Sequence, residues 1–87
     1  MTLTFYGPFQ KMAGREALVD LPEPVSLRRL IHVLGEKYPA LQSYVVYDTD
    51  EALGAHIAFL SNGGVLKLAD PVANNDRVCV MLPMMGG

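Results

Sequence analysis

Ser26-Leu-Arg-Arg-Leu-Ile-His-Val-Leu-Gly-Glu-Lys-Tyr-Pro39 decides the fold. Leu27, Leu30, Ile31, Leu34 and Tyr38 recur at i, i+3, i+4, i+7 and i+11, the spacing of one face of an α-helix. Ser26 stands at the N-cap, where its hydroxyl can accept from an otherwise unpaired first-turn amide, and Pro39 ends the run. Arg28, Arg29, His32 and Glu36 fall away from the apolar stripe. A helix with one apolar and one wet face must lie across something, and the flanking sequence supplies a sheet.

On the N-terminal side, Leu3 and Phe5 alternate with Thr2, Thr4 and Tyr6 until Gly7-Pro8 stops the run, which predicts a first strand. A loop through Gly14 leads to Arg15–Leu21, where Ala17, Val19 and Leu21 alternate with Glu16, Leu18 and Asp20 before Pro22 and Pro24. The two runs predict a β-hairpin with a long turn. On the C-terminal side, Tyr44–Tyr47 reads as a short strand or extended segment and Asp48-Thr-Asp-Glu51 as an exposed turn. Ile57 and Phe59 then alternate against His56, Ala58 and Leu60, and Asn62-Gly63-Gly64 signals a hairpin turn back into Val65–Leu68. After turns at Asp70-Pro71 and Asn74-Asn75-Asp76, the last strand Arg77–Leu82 sets Val78, Val80 and Leu82 on one face and Arg77, Cys79 and Met81 on the other.

The order is therefore β-β-α, an irregular middle, then β-β-β. One main helix covers only one face of a four- or five-stranded sheet. The other face carries Leu18, Ala58, Leu60, Cys79 and Met81. Two readings stay open: apolar side chains scattered singly on a surface, which is ordinary, or a contiguous patch that marks a partner surface.

Eighty-seven residues suffice for one domain. With 51 % hydrophobic and 18 % charged residues, the composition excludes intrinsic disorder. Seven Lys and Arg against nine Asp and Glu leave no excess positive charge for phosphates, so nucleic acid is not an expected partner. Cys79 is the only cysteine, which excludes an internal disulfide and any site of several thiolates, and points to a reducing cytoplasmic setting. The first residues lack the basic start and apolar stretch of a signal peptide, and no apolar run reaches the ~20 residues of a membrane span. A soluble protein, away from membranes, is expected.

A catalytic constellation is not visible. His32 is placed on the wet helix face and His56 on the open face of a strand, neither with a second ligand at metal-binding spacing, so no metal site is expected. Cys79 has no neighbouring His or Lys to activate it. Asn62-Gly63-Gly64 lacks the lysine and following helix of a phosphate loop.

The remaining feature is the end, Leu82-Pro-Met-Met-Gly-Gly87. Pro83 cannot donate to a sheet ladder and ends the last strand, which predicts a flexible tail over residues 83–87. Lacking a Cβ, Gly86 and Gly87 can enter a channel too narrow for other residues and present a carboxylate without hindrance. A carboxylate is a poor acyl donor until it attacks the α-phosphate of ATP and becomes an acyl-adenylate, whose AMP leaves readily. With no nucleotide loop in this chain, a separate enzyme must supply ATP and magnesium. The candidate site is thus Gly86 and Gly87 as the reacting end, with Leu60, Val65, Met81, Pro83, Met84 and Met85 as partner-binding residues.

The sequence resembles the MoaD/ThiS family of ubiquitin-like sulfur carriers. Leu3-Thr-Phe-Tyr-Gly7, Ala13-Gly14, the helix Ser26–Tyr38 followed by Pro39 and Leu41, Asp76-Arg77-Val78 and Gly86-Gly87 carry the likeness over nearly the whole chain. The Tyr-Pro-x-Leu ending of the helix is closer to the molybdopterin synthase small subunit than to the thiamine carrier. Gln10-Lys11, where that branch commonly has Arg-Glu, and Leu82-Pro83-Met84-Met85, where it usually has Pro-Pro followed by small residues, depart from the pattern. The resemblance implies an α+β, β-grasp fold and a non-catalytic carrier. An E1-like adenylyltransferase would adenylate Gly87, a persulfide sulfurtransferase would convert it to a thiocarboxylate, and a sulfur-accepting synthase subunit would take the sulfur. Other carriers of this build serve thiazole or other thio-compound synthesis, and some archaeal ones become protein tags. An interaction module with an incidental Gly-Gly end is the alternative outside this chemistry.

Overall fold

The structure, a computed structural model, describes residues 1–83. The elements in chain order are β1 (Thr2–Phe5), α1 (Phe9–Ala13), β2 (Glu16–Leu18), β3 (Val25–Ser26), α2 (Leu27–Lys37), a 3-10 helix (Pro39–Val46), α3 (Asp50–Gly54), β4 (Ala58–Ser61), β5 (Gly64–Val65), β6 (Pro71–Val72) and β7 (Arg77–Met81). Five strands form a mixed sheet in the order β2-β1-β7-β4-β5. β1 runs parallel to β7, with Leu3 opposite Val78 and Phe5 opposite Val80, while β1–β2, β4–β7 and β4–β5 are antiparallel. This is the α+β, ubiquitin-like β-grasp architecture.

α2 forms where the apolar stripe requires it. Ser26 Oγ accepts the Arg29 N–H at 3.2 Å, and Leu27, Leu30, Ile31 and Leu34 are buried. They meet Leu3, Phe5, Phe59, Val78 and Val80, the inward-facing residues of β1, β4 and β7. Each such side chain contributes about 1.5–3 kcal/mol relative to exposure, so this helix-on-sheet layer is the main source of stability. The hairpin expected at Asn62-Gly63-Gly64 is present. Asn62 (φ 53°) and Gly63 (φ 79°) are the two central residues of a type I′ turn that pairs Ser61 with Gly64.

Five local expectations are corrected. The loop before Gly14 contains α1, which carries Phe9 into the core as a fully buried residue. Tyr44–Tyr47 is not extended. It closes the 3-10 helix, where Leu41 N–H donates to Tyr38 O and Tyr47 N–H to Tyr44 O, and the Tyr44 ring meets Phe9 edge-on at 5.8 Å. Asp48–Glu51 runs into α3, because Thr49 Oγ1 caps the Ala52 N–H at 3.1 Å and Asp50 Oδ1 accepts the Leu68 N–H at 2.7 Å. The strand expected over Val65–Leu68 stops at Val65. Pro71–Val72, expected as part of a turn, pairs instead with Val25–Ser26 in a small second sheet.

Candidate partner-docking site

Alternation in β1, β4 and β7 sends every second side chain away from α2, and the strand registers bring these together. Leu60 lies opposite Cys79 on one side and opposite Val65 on the other, and Ala58 lies opposite Met81. Ala58, Leu60, Cys79 and Met81 are half-buried by their neighbours, while Val65 is 64 % exposed. Tyr6, just past β1, donates its N–H to Val80 O at 2.9 Å and is 44 % exposed on this side. Tyr6, Ala58, Leu60, Val65, Cys79 and Met81 thus lie side by side as one apolar patch rather than scattered singly. Leu18 shares the face but sits apart: Thr2 and Arg77 stand between it and the patch.

The chemistry of the patch is mild. The Tyr6 phenol is pushed above its ordinary range, first by repulsion from a thiolate at Cys79, then by its hydrogen bond with Cys79 and by partial desolvation. Tyr6 was legible from parity alone, because it alternates with Leu3 and Phe5. The Tyr44 phenol, beneath α2, is raised as well, mainly by burial and then by Tyr47.

His56 does not lie on the open face. It follows α3, stacks on Tyr47 at 4.5 Å and 14°, and its Nδ1 is 3.0 Å from Ala52 O. The chain leaves the helical turn there and enters the sheet only at Ala58, so the alternation extended to His56 started two residues too early. His32 is exposed on α2, as expected. Leu82, expected beside Val80 in the core, is 55 % exposed, because β7 ends at Met81. Pro83 is half-buried. Of the other expected site residues, Met84, Met85, Gly86 and Gly87 lie outside the described residues.

β7 is enclosed by β1 and β4, so its position is fixed from both sides, and its end at Met81 opens directly beside the patch. The model of the ThiS family matches residues 3–87. This chain belongs to the ThiS family. The family comprises small ubiquitin-like sulfur carriers that work with partner enzymes. Among solved structures, this ThiS-family chain is similar to SAMP1 from Haloferax volcanii, at 29 % identity and TM-score 0.75 over 99 % of this chain and 97 % of that one. A second structure, of H. volcanii small archaeal modifier protein 1, gives 27 % identity and TM-score 0.75 over 95 % of each chain. A Pyrococcus furiosus protein assigned as molybdopterin converting factor subunit 1 shares the fold at 21 % identity and TM-score 0.77, again over 95 % of each. No curated protein matches the sequence. Among the described residues no helix is long and apolar enough to cross a membrane.

Proposed function

We propose that this chain is a cytoplasmic sulfur carrier whose Gly87 carboxylate is activated and converted to a thiocarboxylate, and that the sulfur goes to molybdopterin synthesis. An E1-like adenylyltransferase supplies ATP and Mg²⁺. The Gly87 carboxylate attacks the α-phosphate, releasing pyrophosphate. A sulfurtransferase persulfide then attacks the acyl carbon, AMP leaves, and a thiol reduces the acyl disulfide to the thiocarboxylate. The synthase subunit accepts that sulfur. The carrier is a cosubstrate in this scheme, with Gly86 keeping the approach to Gly87 narrow and Met84 and Met85 filling the partner's channel mouth.

The observation that supports the reading best is the end of β7 beside the apolar patch, in a chain that the ThiS family matches through Gly87. The molybdopterin assignment rests on the helix ending Tyr38-Pro39-Ala40-Leu41. Incubation with a cognate E1-like enzyme, MgATP and a sulfur donor should add about 16 Da to the intact mass, one oxygen replaced by one sulfur. Deletion of Gly87 should abolish the change, and a truncated protein modified as before would remove Gly87 from the mechanism.

The likeness to a small archaeal modifier protein supports a second reading, attachment of Gly87 to lysines of other proteins. Lysine-linked conjugates that survive reducing agent, formed in cell extract, would select it.

A further inference from the structure

β2 is an edge of the main sheet among the described residues. Its hydrogen bonds to the neighbouring segment alternate: Phe5 N–H donates to Arg15 O and Val19 N–H to Met1 O, each at 2.9 Å. Antiparallel pairing therefore directs the backbone groups of the odd-numbered residues Arg15, Ala17 and Val19 inward, and those of Glu16 and Leu18 outward. An outward row of this kind is a template for another strand. Leu18 adds a side chain 70 % exposed. One group on the row is already taken, because Lys37, the last residue of α2, donates its Nζ to Leu18 O at 3.1 Å. The same ammonium stands 5.6 Å from the Tyr38 ring centre, which holds the lysine stem over the edge.

We propose that Lys37 closes the β2 edge against the β2 strand of a second copy of this chain. The outward frame is self-complementary. With Ala17 on a two-fold axis, Glu16 of each copy faces Leu18 of the other, and the four N–H and C=O groups on each side form four hydrogen bonds. Two of these need the Leu18 carbonyls, one per copy, that Lys37 occupies. Pairing would also bring the two Lys37 ammonium groups to the same seam, where like charges repel. Three residues a side bury far less than the ~1,200 Å² of a stable interface, so one charged hydrogen bond per copy is enough to decide the balance. The other sheet edge, β5, has only Gly64 and Val65 and offers no frame of comparable length.

The test is sedimentation equilibrium of the full chain over a range of concentrations, combined with amide hydrogen exchange at Glu16 and Leu18. Wild type and Lys37→Arg should stay monomeric with both amides exchanging freely. Lys37→Met, which keeps the stem and loses the charge, should lower the dimer dissociation constant by at least about tenfold and slow both amides in the dimer. Lys37→Gln serves the same purpose if Lys37→Met does not fold. Neutral variants that stay monomeric, a dimer whose Glu16 and Leu18 amides still exchange freely, or a wild type that dimerises as tightly as the variants would each overturn the proposal.

Discussion

The Asn74 side-chain oxygen accepts the Leu21 N–H at 2.6 Å, joining residues 53 positions apart. Asn74 also donates through Nδ2 to Asp20 Oδ1 at 3.3 Å. One side chain thus fastens the segment after β2 to the turn before β7, at the end of the sheet where Leu21 is buried. Asn74→Ala leaves the Leu21 amide without its acceptor and should cost about 1–2 kcal/mol. In a domain of this size that is a fall in Tm of at least about 5 °C, which calorimetry would read. An unchanged Tm would mean that water replaces the amide at no cost.

The β4–β5 hairpin depends on backbone freedom at Gly63. Its φ is +79°, and a Cβ there would meet nothing within 4 Å, so Gly63→Ala tests conformational strain without a steric clash. The substitution should destabilise by about 1 kcal/mol in urea unfolding, because L-residues resist the left-handed region. Gly35 differs in kind. A Cβ there would lie 3.0 Å from Val45 Cγ2 and 3.4 Å from Gln42 Cα, so Gly35→Leu should cost about 1–3 kcal/mol through overpacking of α2 against the 3-10 helix.

The regular parts of the fold were legible because period and partner agree there. Leu27, Leu30, Ile31 and Leu34 spell one helix face, Val78 and Val80 one strand face, and each finds the other in the core. Tyr44-Val-Val-Tyr47 was misread because its β-branched and aromatic residues favour strands, while packing of Tyr44 on Phe9 and of Val45 near Gly35 holds the segment in a 3-10 turn. Phe9 gave no periodic signal, since α1 is only five residues long. The patch was legible from strand parity for Leu60, Cys79, Met81 and Tyr6, and for Val65 from the turn that returns it toward Leu60; which of them are cross-strand neighbours is set by register, which alternation alone does not specify.

Tyr6 and Cys79 lie side by side in the patch. A thiolate at Cys79 is the main reason that the Tyr6 phenol is raised, so Cys79→Ala should shift phenol ionisation toward its ordinary value in an alkaline ultraviolet titration. The sign follows from linkage. A group with a raised folded pKa contributes stability below its unfolded pKa and loses it as pH rises through the folded one. Wild type should therefore lose more stability than Cys79→Ala on the alkaline side of the ordinary tyrosine range. Equal alkaline profiles would show that the two groups do not interact.

Met81 and Val80 are neighbours in β7 that point to opposite faces, and this separates docking from folding. Val80 is fully buried beneath α2, so Val80→Asp places an unpaired carboxylate in the core and should unfold the domain, at a cost of several kcal/mol. Met81 is half-buried opposite Ala58 in the patch, where water reaches an aspartate. Met81→Asp should leave Tm nearly unchanged and weaken binding to the activating enzyme by more than ~1 kcal/mol, seen as a KM for the carrier at least about fivefold higher. Replacing both Met84 and Met85 with Glu should add to this, because two further charges must be desolvated when the end of the chain enters the partner. Thiocarboxylate yield should then fall sharply at constant Tm. If Met81→Asp and the double glutamate variant are activated as well as wild type, neither the patch nor the residues before Gly86 contact the enzyme, and the carrier is held through another surface.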